Sequence, residues 1–195
     1  GVVPAVSMVN VAISGNRVLS SSPCFGVSAE ERLQRDVFGQ AGVLAVFLFE
    51  GTNDLGHPDG MATATEQVRP CVNAPHVTAE QMVAAYQRII TQVHARGLLA
   101  IGGTILPYGG HRVWNPESEA KRKAINEWIL TSGSFDATVD FAAALADTRD
   151  PTRMLPEFDS GDHLHPSDAG YEAMGNVVDL KLFSSIQGRR LESNR

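Results

Sequence analysis

The chain has 195 residues, of which 43% are apolar and 19% charged, with a net charge of −6. That length fits one domain with a full core, and the lack of any basic footprint argues against a nucleic-acid partner. The longest apolar run, Val43 to Phe49, is far too short to span a bilayer, so no membrane partner is expected either.

Taken in chain order, short apolar runs alternate with amphipathic segments. Ala5 to Ala12 reads as a strand and Ser28 to Gln40 as a helix. Val43 to Phe49 has the length and composition of a buried strand. Thr78 to Arg96 is the clearest helix: Thr78 and Gln81 stand in capping-box register, Gly97 ends it, and Met82, Val83, Tyr86, Ile89, Ile90 and Val93 share one face. Leu98 to Leu106 reads as a strand, and Pro116 opens a helix to about Leu130 whose Lys121-Arg122-Lys123 cluster is expected to be a solvated face. Ala137 to Phe141 is a short strand, and Ser167 caps a final helix to about Leu182. Residues 1–187 form a single domain, followed by a polar tail over 188–195. This alternation predicts an α/β fold, a three-layer sandwich with a central parallel sheet.

The chemistry-bearing residues follow strands or lie in the last loop, where such sheets place their sites. Asp162 and His165 are three apart in a turn before a capped helix. There a carboxylate can take one imidazole N–H and leave the other nitrogen basic, and Pro166 restricts the exit. His163 is expected to be a bystander. Asn53, after a strand and a glycine, can donate its amide to a developing oxyanion, while Asp54 is expected to bond the turn backbone. Gly15 can offer its backbone N–H to the same oxyanion, with no side chain in the way. Tyr108, His111 and Trp114, in the Gly-rich loop after Leu106, are candidates to line a substrate cleft. Cys24 and Cys71 form no zinc or redox pattern; two free thiols and one disulfide between the loops that follow Ser14-Gly15 and Asn53-Asp54 both remain open.

In order and spacing, Asn10-x-x-Ile13-Ser14-Gly15-Asn16, Glu50-Gly51-Thr52-Asn53-Asp54 and Asp162-x-x-His165-Pro166 resemble the SGNH hydrolases, or GDSL esterase/lipase family, over nearly the whole chain. The segment GDHLHPSDAGYEAMG, residues 161–175, is similar to carbohydrate-esterase-like members. The resemblance implies a flavodoxin-like sheet, with Gly15 and Asn53 as oxyanion donors, His165 as general base and Asp162 as its orienting acid. It also implies a secreted enzyme. The family's nucleophile is the serine of a Gly-Asp-Ser block ahead of the oxyanion glycine, and no Gly-Asp-Ser occurs in this sequence.

The leading expectation is a truncated or nicked enzyme whose first strand, serine and following helix are missing. A derivative that lost activity, or a stand-in by Ser14 or Ser7, are the alternatives. The expected activity is hydrolysis of small esters, including acetyl esters on carbohydrates, with no metal or organic cofactor. A companion N-terminal peptide or a homo-oligomer would fill the missing strand. The rival functions are a non-catalytic carbohydrate- or ligand-binding module and, more remotely, metal-assisted hydrolysis by Asp162, His163 and His165.

Overall fold

The computed structural model describes residues 6–56 and 75–183; the polar tail 188–195 and Cys71 lie outside them. Three parallel strands form the sheet: β1 (Ala45–Leu48), β2 (Leu99–Gly103) and β3 (Ala137–Val139), in the order β1-β2-β3. Ala45 stands opposite Leu99, and Ile101 opposite Ala137. β2, paired on both sides, is buried at every residue, as a central parallel strand should be.

Side chains leave the sheet alternately, so each strand feeds two cores. On one face Val46 and Ala100 join Met82, Tyr86, Ile89 and Val93 of α3 (Ala79–His94) and Ile125 and Ile129 of α4 (Pro116–Thr131). On the other, Leu99, Ile101 and Val139 meet Phe141 and Leu145 of α5 (Phe141–Leu145), Met154 and Met174. Met154 ends a two-stranded antiparallel hairpin, β4 (Ala146–Asp147) and β5 (Asp150–Met154), and Met174 belongs to α6 (Asp168–Asn176). These layers make the expected α/β sandwich.

The helix starts follow their side-chain chemistry. Thr78 and Gln81 form the full capping box of α3, and Asn115 and Ser118 make another ahead of Pro116. Ser28 caps α1 (Ala29–Leu33), which continues as a π turn over Gln34–Phe38, and Ser167 caps α6. α6 ends sooner than its expected stop at Leu182, with Val177 as its C-cap.

Two expectations are overturned. Residues 6–12 form no strand: 6–10 are exposed, and the Asn10 side chain accepts from the Ala12 amide at 2.8 Å, a local turn that competes with an extended ladder. The basic cluster is not a solvated face. Arg122 is only 4% exposed; it makes paired bonds of 2.7 and 2.8 Å to Glu119 and donates to the Ile105 carbonyl at 3.1 Å. Lys123 does lie outward, near Glu119, while Lys121 is half-buried and pairs with Glu117. A guanidinium with a bidentate acid one helical turn away can be buried where a lone lysine cannot.

Ile125, fully buried between α3 and the sheet, gives a direct check on this core. Ile125→Ala is expected to lower the free energy of unfolding by about 3 kcal/mol, read as a shift in the urea midpoint.

Candidate active site

The loop after residue 14 and the helix after β1 are built as one unit. α2 (Thr52–Gly56) starts just beyond the carboxyl end of β1, and Asn53 on its first turn donates from Nδ2 to the Asn16 carbonyl at 3.0 Å. The segments carrying Gly15 and Asn53 are therefore brought together as expected. Gly15 has φ +73°, and a Cβ there would run into the Phe25 ring. Only glycine fits both conditions.

Asp54 does not serve its own turn alone. Its carboxylate, 2% exposed, accepts from the Val18 amide at 2.9 and 3.1 Å and from the Leu19 amide at 3.0 Å. Burial raises its pKa to about 6 against these lowering bonds and the nearby Arg17. Next to it Asn16 is fully engaged. Its Nδ2 donates to the Phe25 and Val27 carbonyls at 2.7 and 2.9 Å, and its Oδ1 accepts from Arg32 Nε at 2.9 Å. Arg32 also reaches the Val11 carbonyl, Asp36 and, at 3.6 Å, Glu50. Burial pushes Glu50 up to about 7; Arg32 opposes that rise and Asp54 adds to it.

At the other end of the chain, His165 Nδ1 lies 2.6 Å from Asp162 Oδ2. Asp162 Oδ1 accepts from the Leu164 and His165 amides at 2.8 Å each and from the Ser160 hydroxyl at 3.1 Å. Burial works to raise the Asp162 pKa, but the bonds from His165, Leu164 and Ser160 prevail and hold it well below the usual carboxylate range. With Nδ1–H committed to Asp162, the neutral ring presents a basic Nε2. Both side chains are about half exposed. Among the described residues no serine hydroxyl bonds to His165, and Ser7 and Ser14 are exposed on their own segments.

The two halves are linked through the loop after β2. A Cβ on Gly56, at the end of α2, would come within 2.6 Å of Val113 Cγ2, so the helix bearing Asn53 packs on this loop. Two residues earlier, His111 sits where Asp162, His165 and His163 all act on it; burial, then Arg112, lower its pKa. The loop is fixed from beneath by the Gly109 amide bonded to the Thr152 carbonyl of β5 at 2.6 Å.

The cleft candidates fare differently. His111, near Asp162 and His165, and Trp114 are half-buried, but Tyr108 is 1% exposed and offers no face for stacking. The His163 side chain points away from Asp162: its Nδ1 lies 2.6 Å from Asp159 Oδ2. A second acid four residues before a histidine was visible in the sequence, but only the loop's shape unites them. Cys24 is disulfide-bonded. No group of three His, Cys, Asp or Glu among the described residues is placed to hold a metal ion, and no described helix is long and apolar enough to cross a membrane.

Two outcomes test the buried carboxylates. Asp54→Asn leaves one acceptor oxygen for the Val18 and Leu19 amides and is expected to cost about 1–3 kcal/mol in urea unfolding. Glu50 binds its proton more tightly folded than unfolded, so its stabilising share is complete below pH about 4.5 and is lost as pH rises through about 7. The wild type should therefore lose about 1–3 kcal/mol relative to Glu50→Gln between pH about 5 and about 8, measured by urea unfolding across that range.

The model of the GDSL-like lipase/acylhydrolase family matches residues 3–173. None of the curated proteins matches the chain. Among solved structures, a GDSL-like lipase from Bacteroides thetaiotaomicron is 17% identical with a TM-score of 0.62, covering 87% of this chain and 72% of its own. A putative acylhydrolase from Bacteroides fragilis is 16% identical, TM-score 0.61, over 86% of this chain and 72% of its own. A catalytic mutant of an acetylxylan esterase from Geobacillus stearothermophilus is 19% identical, TM-score 0.58, over 87% and 68%. At these identities the likeness is one of fold.

Proposed function

The chain belongs to the GDSL-like lipase/acylhydrolase family, and from that premise we propose that it is the scaffold of a serine-type ester hydrolase acting on small acyl esters, acetyl esters of carbohydrates among them. The observation that carries this reading is the Asp162–His165 pair at 2.6 Å, with the second ring nitrogen left for substrate chemistry. The acetylxylan esterase neighbour supports the choice of substrate class.

In this mechanism His165 Nε2 takes the proton of a serine hydroxyl as its oxygen attacks the acyl carbonyl. The Gly15 backbone N–H and Asn53 Nδ2 meet the negative charge that develops on the carbonyl oxygen. Collapse of the tetrahedral adduct breaks the ester C–O bond, and His165 returns its proton to the departing alcohol. A water then attacks the acyl-enzyme with His165 again as base, releasing the carboxylic acid and restoring the serine. Asp162 holds the ring's orientation and stabilises it while charged. No step needs a metal or organic cofactor.

The nucleophilic serine, in this reading, comes from a companion peptide rather than from residues 6–56 or 75–183. Among the described residues β1 is paired by β2 on one side only, and a parallel apolar strand normally has both edges covered. A strand added there would end at the same sheet edge as Asn53; a second copy of the chain is the other way to fill it. The bonded state of Cys24 fits an oxidising, extracellular setting. The rival reading, a saccharide-binding module, is weakened because Tyr108 is buried.

A fluorophosphonate probe followed by intact mass should label a companion peptide when the complete protein is purified. An adduct on the 195-residue chain would move the nucleophile into it, and no adduct on either would overturn serine chemistry. In the complete enzyme without the probe, His165→Ala should abolish hydrolysis of p-nitrophenyl acetate, and Asn53→Ala should lower kcat by about 10²–10³. Wild-type turnover by His165→Ala would sink the assignment of the base.

A further inference from the structure

The loop that carries His165 contains two acid–imidazole pairs. Asp159 Oδ2 meets His163 Nδ1 at 2.6 Å, and Asp162 Oδ2 meets His165 Nδ1 at the same distance. The catalytic reading uses only the second. The first is built with equal care and, unlike the second, on a largely buried acid: the Asp159 side chain is 12% exposed, against 48% for Asp162.

Asp159 organises the backbone between the two pairs. Besides the His163 ring it accepts the Gly161 amide at 2.7 Å and the His163 amide at 3.0 Å. His163 has φ 63°, the one non-glycine residue with positive φ among those described. Side chains with a Cβ avoid that region, so local bonds must hold it there, and strained residues of this kind gather at functional sites. The reversal at His163 turns the Leu164 and His165 amides back onto Asp162 Oδ1, each at 2.8 Å. Closure of the loop follows: the Ser160 amide donates to the His165 carbonyl at 3.0 Å, and Asp159 forms a bridge with Pro166.

A separate observation comes from across the site. A Cβ on Gly110 would stand 3.3 Å from His163 Cγ and 3.2 Å from Arg153 Nη1. The facing loop thus approaches the half-exposed His163 ring closely, and Arg153 of β5 reaches the same point on that loop.

We infer that Asp159 and His163 form a positioning pair: they hold the chain reversal that sets the Asp162–His165 pair in its working geometry. The inference rests on the reading of His165 as the general base only for its bearing on activity, because the geometry itself can be tested without turnover.

The test is proton and nitrogen NMR on the 195-residue chain with labelled histidine, following the Nδ1–H proton of each ring in its short bond to aspartate. In the wild type both protons should resonate far downfield. Asp159→Asn should remove the His163 signal and speed solvent exchange of the His165 Nδ1–H by about tenfold or more. His163→Ala should do the same to His165, because alanine neither favours the left-handed backbone nor bonds Asp159. His163→Asn should restore much of the protection, since asparagine tolerates that backbone and carries a side-chain donor. Thermal melts establish that each variant is folded. If Asp159→Asn does not fold, the comparison of Ala with Asn at the half-exposed position 163 decides.

A His165 proton unchanged in both Asp159→Asn and His163→Ala would overturn the positioning role while leaving the catalytic reading intact. Absence of the His165 signal from the wild type would remove the Asp162–His165 pair itself, and both readings with it.

Discussion

A carboxylate sealed from water must find donors, and Asp54 finds them in another segment. By accepting from the Val18 and Leu19 amides, it ties the loop containing Gly15 to the helix that carries Asn53. Loss of those donors would leave a buried charge uncompensated, which costs more than the bonds contribute. The loop around Gly15 has little regular structure of its own, so its shape depends on this clasp. Asn16 and Arg32 extend it, with every polar group of the Asn16 side chain engaged.

The opposite side of the site is held by different means. There the sheet supplies position through a relay of short connections: β2 leads into a Gly-rich loop, Gly109 fastens that loop to β5, and Arg122 reaches both the Ile105 and the Pro151 carbonyls from α4. The hairpin then hands the chain to the loop with Asp159, Asp162, His163 and His165. Val113 packs on Gly56, and this contact joins the side with Asp162 and His165 to the side with Gly15 and Asn53. A rigid site on loops thus arises because each loop is bonded to a neighbouring loop or to the sheet, rather than from stiffness within it.

Placing charges beneath a site has a cost in stability. Glu50 and Asp54 both have raised pKa values, with burial as the main cause, so folding tightens their hold on a proton, while the bonds to Asp162 loosen its hold. The two groups of acids therefore pull the pH of greatest stability in opposite directions. Such tension is common where polar groups are kept for geometry rather than for folding energy.

Local patterns were legible in the residues themselves. The Thr78 capping box, the apolar face from Met82 to Val93, the parallel alternation of strands and helices, and the spacing of Asp162 to His165 each depend on neighbours a few positions away, and the structure keeps them. What sequence could not supply depends on partners far along the chain. The basic run at 121–123 looks like one surface feature, yet Arg122 turns inward because Glu119 and the Ile105 carbonyl are there to meet it. Val6, Met8 and Val9 have strand composition, yet among the described residues 6–12 pair with no strand, and the Asn10 side chain turns the chain locally instead. Asp54 looked like a turn residue because its amide partners lie 35 and 36 positions earlier. Periodicity and caps are fixed by bonds within one element; the destination of a buried charge is fixed by which distant backbone groups need a partner, and only the tertiary structure decides that.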